Sequence, residues 1–222
     1  MIVDENNKYL IICDFGNKRV VRWSLENRNV KQVIIKNISC RGLMMNKNGD
    51  LFVSDCEKHE VKRWRKGENE EGTVVAGGNG EGDQLDQLNY PTYIFIDQEE
   101  TVYVSDCENH RVMKWLKGAK QGIVVAGGQG EGNSLNKLAY PQGLTVNAVD
   151  DIYVADWRNH RIMCWSLGSK EGRIVVGGNG GGDGSNQLYY PKGLSFDVEN
   201  NLYVVDCDNQ RIQRFSVEKN AK

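Results

Sequence analysis

Three histidines, six cysteines and five evenly placed aspartates are the side chains of this 222-residue sequence best equipped for chemistry. Neutral imidazole is the commonest biological metal ligand, and thiolates join it in zinc sites. Yet His59, His110 and His160 stand 51 and 50 residues apart. Cys56, Cys107 and Cys207 each directly follow one of the aspartates Asp14, Asp55, Asp106, Asp156 and Asp206. Catalysis needs one asymmetric site, whereas a group that returns every 50 residues belongs first to a repeated element. Equivalent points on stacked sheets lie about 10 Å apart, too far for one zinc ion about 2 Å from each ligand, or for a disulfide between copies. No metal or other cofactor is therefore expected, and the cysteines are expected to be mostly free.

The same beat runs through the other rare residues. Pro91, Pro141 and Pro191 are 50 apart, and Trp23, Trp64, Trp115, Trp165 and Phe215 recur once per unit. Five copies are legible, with approximate bounds 1–37, 38–88, 89–138, 139–188 and 189–217 in a single domain spanning 1–222. The first interval is shorter because its linker lacks the glycine-rich stretch found later. In four of the copies the aspartate faces an arginine across a hairpin: Asp14 and Arg19, Asp106 and Arg111, Asp156 and Arg161, Asp206 and Arg211. A carboxylate there can hold turn amides and the guanidinium fork together, a structural role. The second copy breaks the pattern, since Asp55 meets Glu60 unless Lys58 or Lys62 intervenes.

Each unit reads as four short strands without a helix. In the fourth copy they cover 143–146, 151–155, 161–165 and 173–176, rich in Val, Ile, Tyr and Trp and bounded by Gly, Asn, Asp or Pro. The strands are apolar on both faces, so each small antiparallel sheet must be covered on two sides by sheets like itself. That is the blade of an all-β propeller.

The phrases Tyr153-Val-Ala-Asp156 and Asn159-His-Arg-Ile162, with Pro141-Gln-Gly-Leu144 opening the blade, closely resemble the NHL repeat. The resemblance covers nearly the whole chain, and the ending Val175-Val-Gly-Gly178 is most like a metazoan subgroup. It implies a usually six-bladed β-propeller, here with five repeats: a truncated six-bladed ring or a five-bladed one. It also implies a binding or scaffold part of the kind found in tripartite-motif ubiquitin ligases, presenting inter-blade loops to a protein partner. Two alternatives come with the family: a propeller enzyme of the amidating-lyase or lactonase type with a metal in a central channel, and single-stranded RNA binding.

The remaining motifs add little chemistry. Glycine-rich 77–82 and 127–132 resemble phosphate loops but lead into strands, not into the helix that a dinucleotide fingerprint requires. The stretch 177–183 nearly spells a calcium turn, but its Asp183 comes one residue late. The basic run 62–66 adjoins an acidic run at 68–71, and 28 Lys+Arg against 30 Asp+Glu give a net charge of −2, which lends RNA no support. No apolar stretch is long enough to insert in a membrane, and no secretory signal follows Met1. Trp157 stands where other copies carry Cys or Phe15, at a hairpin turn, and is the candidate partner contact.

Overall fold

The computed structural model describes residues 1–4, 6, 8–27, 31–67 and 71–217. Glu68, Asn69 and Glu70 of the expected acidic run lie outside them. Five antiparallel sheets follow in chain order. Blade 1 holds β1 (Ile2–Val3), β2 (Tyr9–Asp14), β3 (Arg19–Ser24) and β4 (Lys31–Lys36). Blade 2 holds β5 (Cys40–Met45), β6 (Leu51–Asp55), β7 (Glu60–Trp64) and β8 (Thr73–Gly77). Blade 3 holds β9 (Pro91–Ile96), β10 (Val102–Asp106), β11 (Arg111–Trp115) and β12 (Ile123–Gly127). Blade 4 holds β13 (Pro141–Val146), β14 (Ile152–Asp156), β15 (Arg161–Trp165) and β16 (Arg173–Gly177). Blade 5 has β17 (Pro191–Phe196), β18 (Asn201–Asp206) and β19 (Arg211–Ser216).

The chain is thus an all-β, five-bladed propeller, and the six-bladed expectation is corrected: each of the five landmark aspartates marks one sheet. The only helical pieces among the described residues are short 3-10 turns such as Trp157–Asn159. None is long and apolar enough to cross a membrane. By its contacts the chain falls into two compact units, Met1–Glu108 with Met113–Ile123, and Asn109–Val112 with Val124–Lys222.

Alternation places every second residue of a strand against the next blade. In the second unit, Tyr153, Ala155, Ile162 and Cys164 of blade 4 share a buried cluster with Leu202 and Val204 of blade 5. The Tyr153 ring meets Phe196 edge-on at 4.9 Å. In the first unit, Phe52 and Val61 of blade 2 pack with Ile94, Val104 and Trp115 of blade 3. In blades 2, 3 and 4 the second strand is apolar on both sides because both sides are buried. Burying one such side chain contributes about 1.5–3 kcal/mol, and each blade supplies several.

Two local devices fix the hairpins. At the turn between a blade's first two strands, Asn46, Asp97, Asn147 and Asp197 each accept two amides from the residues that follow, closing an Asx turn. At the loop before the outer strand, Gly72, Gly122 and Gly172 lie against Trp64, Trp115 and Trp165, where a Cβ would come within 2.9 Å of the indole. The once-per-blade tryptophan is thus a packing residue, and the glycine beside it makes room.

Candidate functional site

The five aspartates sit at the end of each blade's second strand, opposite the residue that opens the third. The registers pair Asp14 with Arg19, Asp156 with Arg161 and Asp206 with Arg211. In each pair the arginine Nε donates to a carboxylate oxygen at 2.7 Å. Asp106 and Arg111 are both buried at the matching positions. The other oxygen of the carboxylate accepts an amide from the loop that enters the blade: Asn89 to Asp106 at 2.6 Å, Ala139 to Asp156 at 2.7 Å and Tyr189 to Asp206 at 2.6 Å. The arginine completes the clasp. Arg161 donates to the carbonyls of Asn133, Ser134 and Lys137, and Arg211 to those of Asp183, Gly184 and Gln187. Asn159 and Asn209 join in, each bonding its aspartate and a glycine carbonyl of the same loop.

Environment separates the copies. Burial pushes the Asp156 carboxyl above the ordinary carboxylate value, against the bonds from Asn159, Ala139 and Arg161. Burial pushes Asp206 the same way, but bonds from Asn209, Tyr189, Arg211 and Gln213 outweigh it and hold that carboxyl low. In blade 2, Asp55 faces Glu60, and of the two lysines the sequence offered it is Lys62 that lies 3.2 Å from the glutamate.

The histidines are not brought together, and no group of three or more His, Cys, Asp or Glu able to hold a metal occurs among the described residues. Each sits with positive φ at the end of its turn. Each Nδ1 accepts the amide of the tyrosine that opens the following blade: His59 from Tyr90 at 3.2 Å, His110 from Tyr140 at 3.3 Å and His160 from Tyr190 at 3.1 Å. The glycine-rich loops close on the same residues, since Gly78, Gly128 and Gly178 donate to the carbonyls of His59, His110 and His160 at 3.1 Å. The basic run is likewise engaged: Arg63 lies 2.7 Å from Asp50 and 3.0 Å from Glu100.

The free-cysteine expectation is corrected in part. Cys13 and Cys40 form a disulfide, with Cα atoms 5.5 Å apart, while Cys56, Cys107, Cys164 and Cys207 are not disulfide-bonded. Comparing like positions in different blades could not reveal a bond between unlike ones. Cys13 faces forward from β2, and Cys40 opens the next blade's inner strand. Ser54, which matches Cys13 in blade 2, joins the following blade differently, donating to the Thr92 carbonyl at 2.6 Å.

What the repeat does not share lies on the hairpin turns. Trp157 is wedged between Tyr140 and Tyr190, with ring centroids at 6.3 and 4.5 Å. Its Nε1 is buried without a hydrogen-bond partner. Tyr190 in turn contacts Tyr189 at 4.8 Å and His160 at 4.6 Å, and Tyr189 is exposed. Phe15, at the Trp157 position of blade 1, has the Arg41 guanidinium 3.8 Å above its ring, and Arg41 donates to the Tyr90 hydroxyl at 2.7 Å. Sequence reasoning gave Arg41 and the tyrosines no role. The signal was the Tyr-Pro dipeptide at 90, 140 and 190, which recurs with the repeat.

Comparison with known proteins fits this architecture. The NHL repeat model matches residues 138–165 and 188–215. No curated protein matches the sequence. Among solved structures, an auxiliary nutrient binding protein from Bacteroides thetaiotaomicron superposes with TM-score 0.75 at 18% identity, covering 98% of this chain and 58% of its own. This chain thus spans less than two thirds of that relative's length. A gluconolactonase from Xanthomonas campestris gives TM-score 0.69 at 14% identity over 96% of this chain and 73% of its own. A chain of a nidogen/laminin complex gives 0.70 at 19% over 93% and 73%. At such identities the likeness is one of fold. Two matched repeats within five blades of one plan support an NHL-repeat β-propeller.

Proposed function

We propose that the chain is a non-catalytic binding module that presents its hairpin turns and inter-blade loops to a protein partner. The observation that carries this reading is the contrast between repeated and unrepeated side chains. The repeated Asp, Arg, Asn and His hold loops in place, whereas the unrepeated Trp157 and Phe15 stand on the turns and Arg41, at the start of β5, lays its guanidinium over Phe15. Aromatic and arginine side chains on a rigid frame are the usual anchors of protein recognition. The nidogen/laminin likeness and the resemblance to tripartite-motif NHL domains point the same way.

The competing reading is a lactonase-type enzyme, favoured by the likeness to the Xanthomonas campestris gluconolactonase. Binding of a candidate partner to the wild-type chain and to Trp157→Ala discriminates the two. The binding reading expects the variant to lose at least about tenfold in affinity, roughly 1.4 kcal/mol. Metal-dependent lactone turnover by a chain whose partners ignore Trp157 would overturn it.

A further inference from the structure

Among the asparagines of the sequence, Asn37 alone is followed two residues later by a hydroxyl side chain, in Asn37-Ile38-Ser39. In secreted proteins the carboxamide of such a tripeptide accepts an oligosaccharide. These tripeptides also arise by chance, and the fold decides whether one can serve.

Asn37 directly follows the outer strand of blade 1, where its backbone turns left-handed with a φ of 55°. Directly after the outer strands of blades 2, 3 and 4 stand Gly78, Gly128 and Gly178, also with positive φ. Asparagine is among the side chains that tolerate this conformation best, so blade 1 carries a carboxamide where the other blades carry only hydrogen. That carboxamide is exposed and makes no hydrogen bond among the described residues. The repeat uses its other asparagines differently: the amide nitrogens of Asn46, Asn159, Asn201 and Asn209 all donate to neighbouring oxygens. Asn37 has no such structural duty.

A second, chemical observation lies next to it. Cys40, the residue after the tripeptide, is bonded to Cys13. Disulfides form and persist in oxidising surroundings such as the lumen of the endoplasmic reticulum and the outside of the cell, and N-linked oligosaccharides are added in that same lumen. The bridge and the free carboxamide thus call for one compartment, though neither needs the other.

We propose that Asn37 carries an N-linked oligosaccharide. In the transfer, Asn37 Nδ2 bonds to the anomeric carbon of the terminal N-acetylglucosamine of an oligosaccharide carried on a lipid pyrophosphate. The bond from that carbon to the phosphate oxygen breaks, the lipid pyrophosphate leaves with the electron pair, and Nδ2 gives up one proton. Ser39 is 2% exposed in the folded chain, so its hydroxyl is open to the transferring enzyme only before the fold buries it. Once the chain has folded, the sugar stands on the exposed link beside the turn of blade 1, whose Lys18 carbonyl accepts the Ile38 amide at 3.0 Å. The inference is independent of the partner-binding reading, which rests on other side chains.

Mass spectrometry of the protein isolated from the cells that make it tests this, because the leader that such a route requires would precede Met1. Peptide:N-glycanase in heavy-oxygen water replaces a glycosylated asparagine with a labelled aspartate. A labelled aspartate at position 37 is expected, and its absence overturns the proposal. The chain directed into the secretory route of cultured animal cells gives a second measurement, read on a denaturing gel so that folding does not matter. The wild type is expected to migrate more slowly than Asn37→Gly, which removes the acceptor and suits the left-handed backbone, and to match it after glycanase. Equal migration before treatment overturns the proposal as well.

Discussion

His160 Nδ1 accepts the Tyr190 amide at 3.1 Å, tying the turn of blade 4 to the strand that opens blade 5. An imidazole can accept there only while that nitrogen is unprotonated. Burial pushes the pKa of His160 below the ordinary histidine value, against the pull of Asp208 and Asp156. With the folded value depressed, the unfolded chain takes up its proton first as pH falls. The stabilisation is therefore whole above the unfolded value of about 6.5 and is lost as pH drops through the folded one. Urea midpoints measured at neutral and mildly acidic pH are expected to fall with acidity, and to fall less in His160→Gln. An unchanged slope in the variant would contradict this role.

The clasp between Asp156 and Arg161 predicts a contrast between blades. Both side chains are nearly inaccessible to water, whereas those of Asp14 and Arg19 are partly exposed. Arg161→Met strands a buried carboxylate and orphans three loop carbonyls, so a loss of about 3–5 kcal/mol is expected. Arg19→Met, on a pair that water screens, is expected to lose much less. Equal losses in denaturant melts would show that burial does not set the strength of the clasp.

Gly143 and Gly193 occupy one repeat position in opposite circumstances. A methyl group at Gly143 must displace the backbone of the neighbouring blade, so Gly143→Ala is expected to destabilise by about 1–3 kcal/mol. Gly193→Ala brings a tight 3.2 Å contact with a methyl of the exposed Val205 side chain, which has room to give, and is expected to stay within about 0.5 kcal/mol of the wild type. Comparable melting shifts for the two would mean that no strand runs tightly against Gly143.

Thiol titration in denaturant without reductant checks the link between Cys13 and Cys40. Four reactive thiols are expected, from Cys56, Cys107, Cys164 and Cys207, and six would refute the bridge. Reduction is expected to lower stability by about 2–4 kcal/mol.

Much of this architecture was legible in the spacing of Pro, Trp, Asp and His, because a blade must bury the same apolar rows in every copy. The strands of blade 4 lie where 143–146, 151–155, 161–165 and 173–176 placed them: the first is two residues longer at its start, the second is shifted by one, the third is unchanged and the fourth is one residue longer. The partners of the clasp were not legible. Arg161 reaches Asn133 and Lys137 across 28 and 24 residues, and periodicity aligns like with like but does not say which unlike residues meet. The disulfide escaped for the same reason. Arg41 on Phe15 escaped because both depart from the repeat, and only the stacking of blades brings them together.

The central claim is that the recurring polar groups hold the blades and loops in place and perform no chemistry. Bound calcium and zinc per chain, measured on dialysed protein together with hydrolysis of gluconolactone, test it most directly. The account predicts far less than one metal ion per chain and no hydrolysis above the uncatalysed rate. One tightly held ion per chain, with turnover that chelation abolishes, would contradict it.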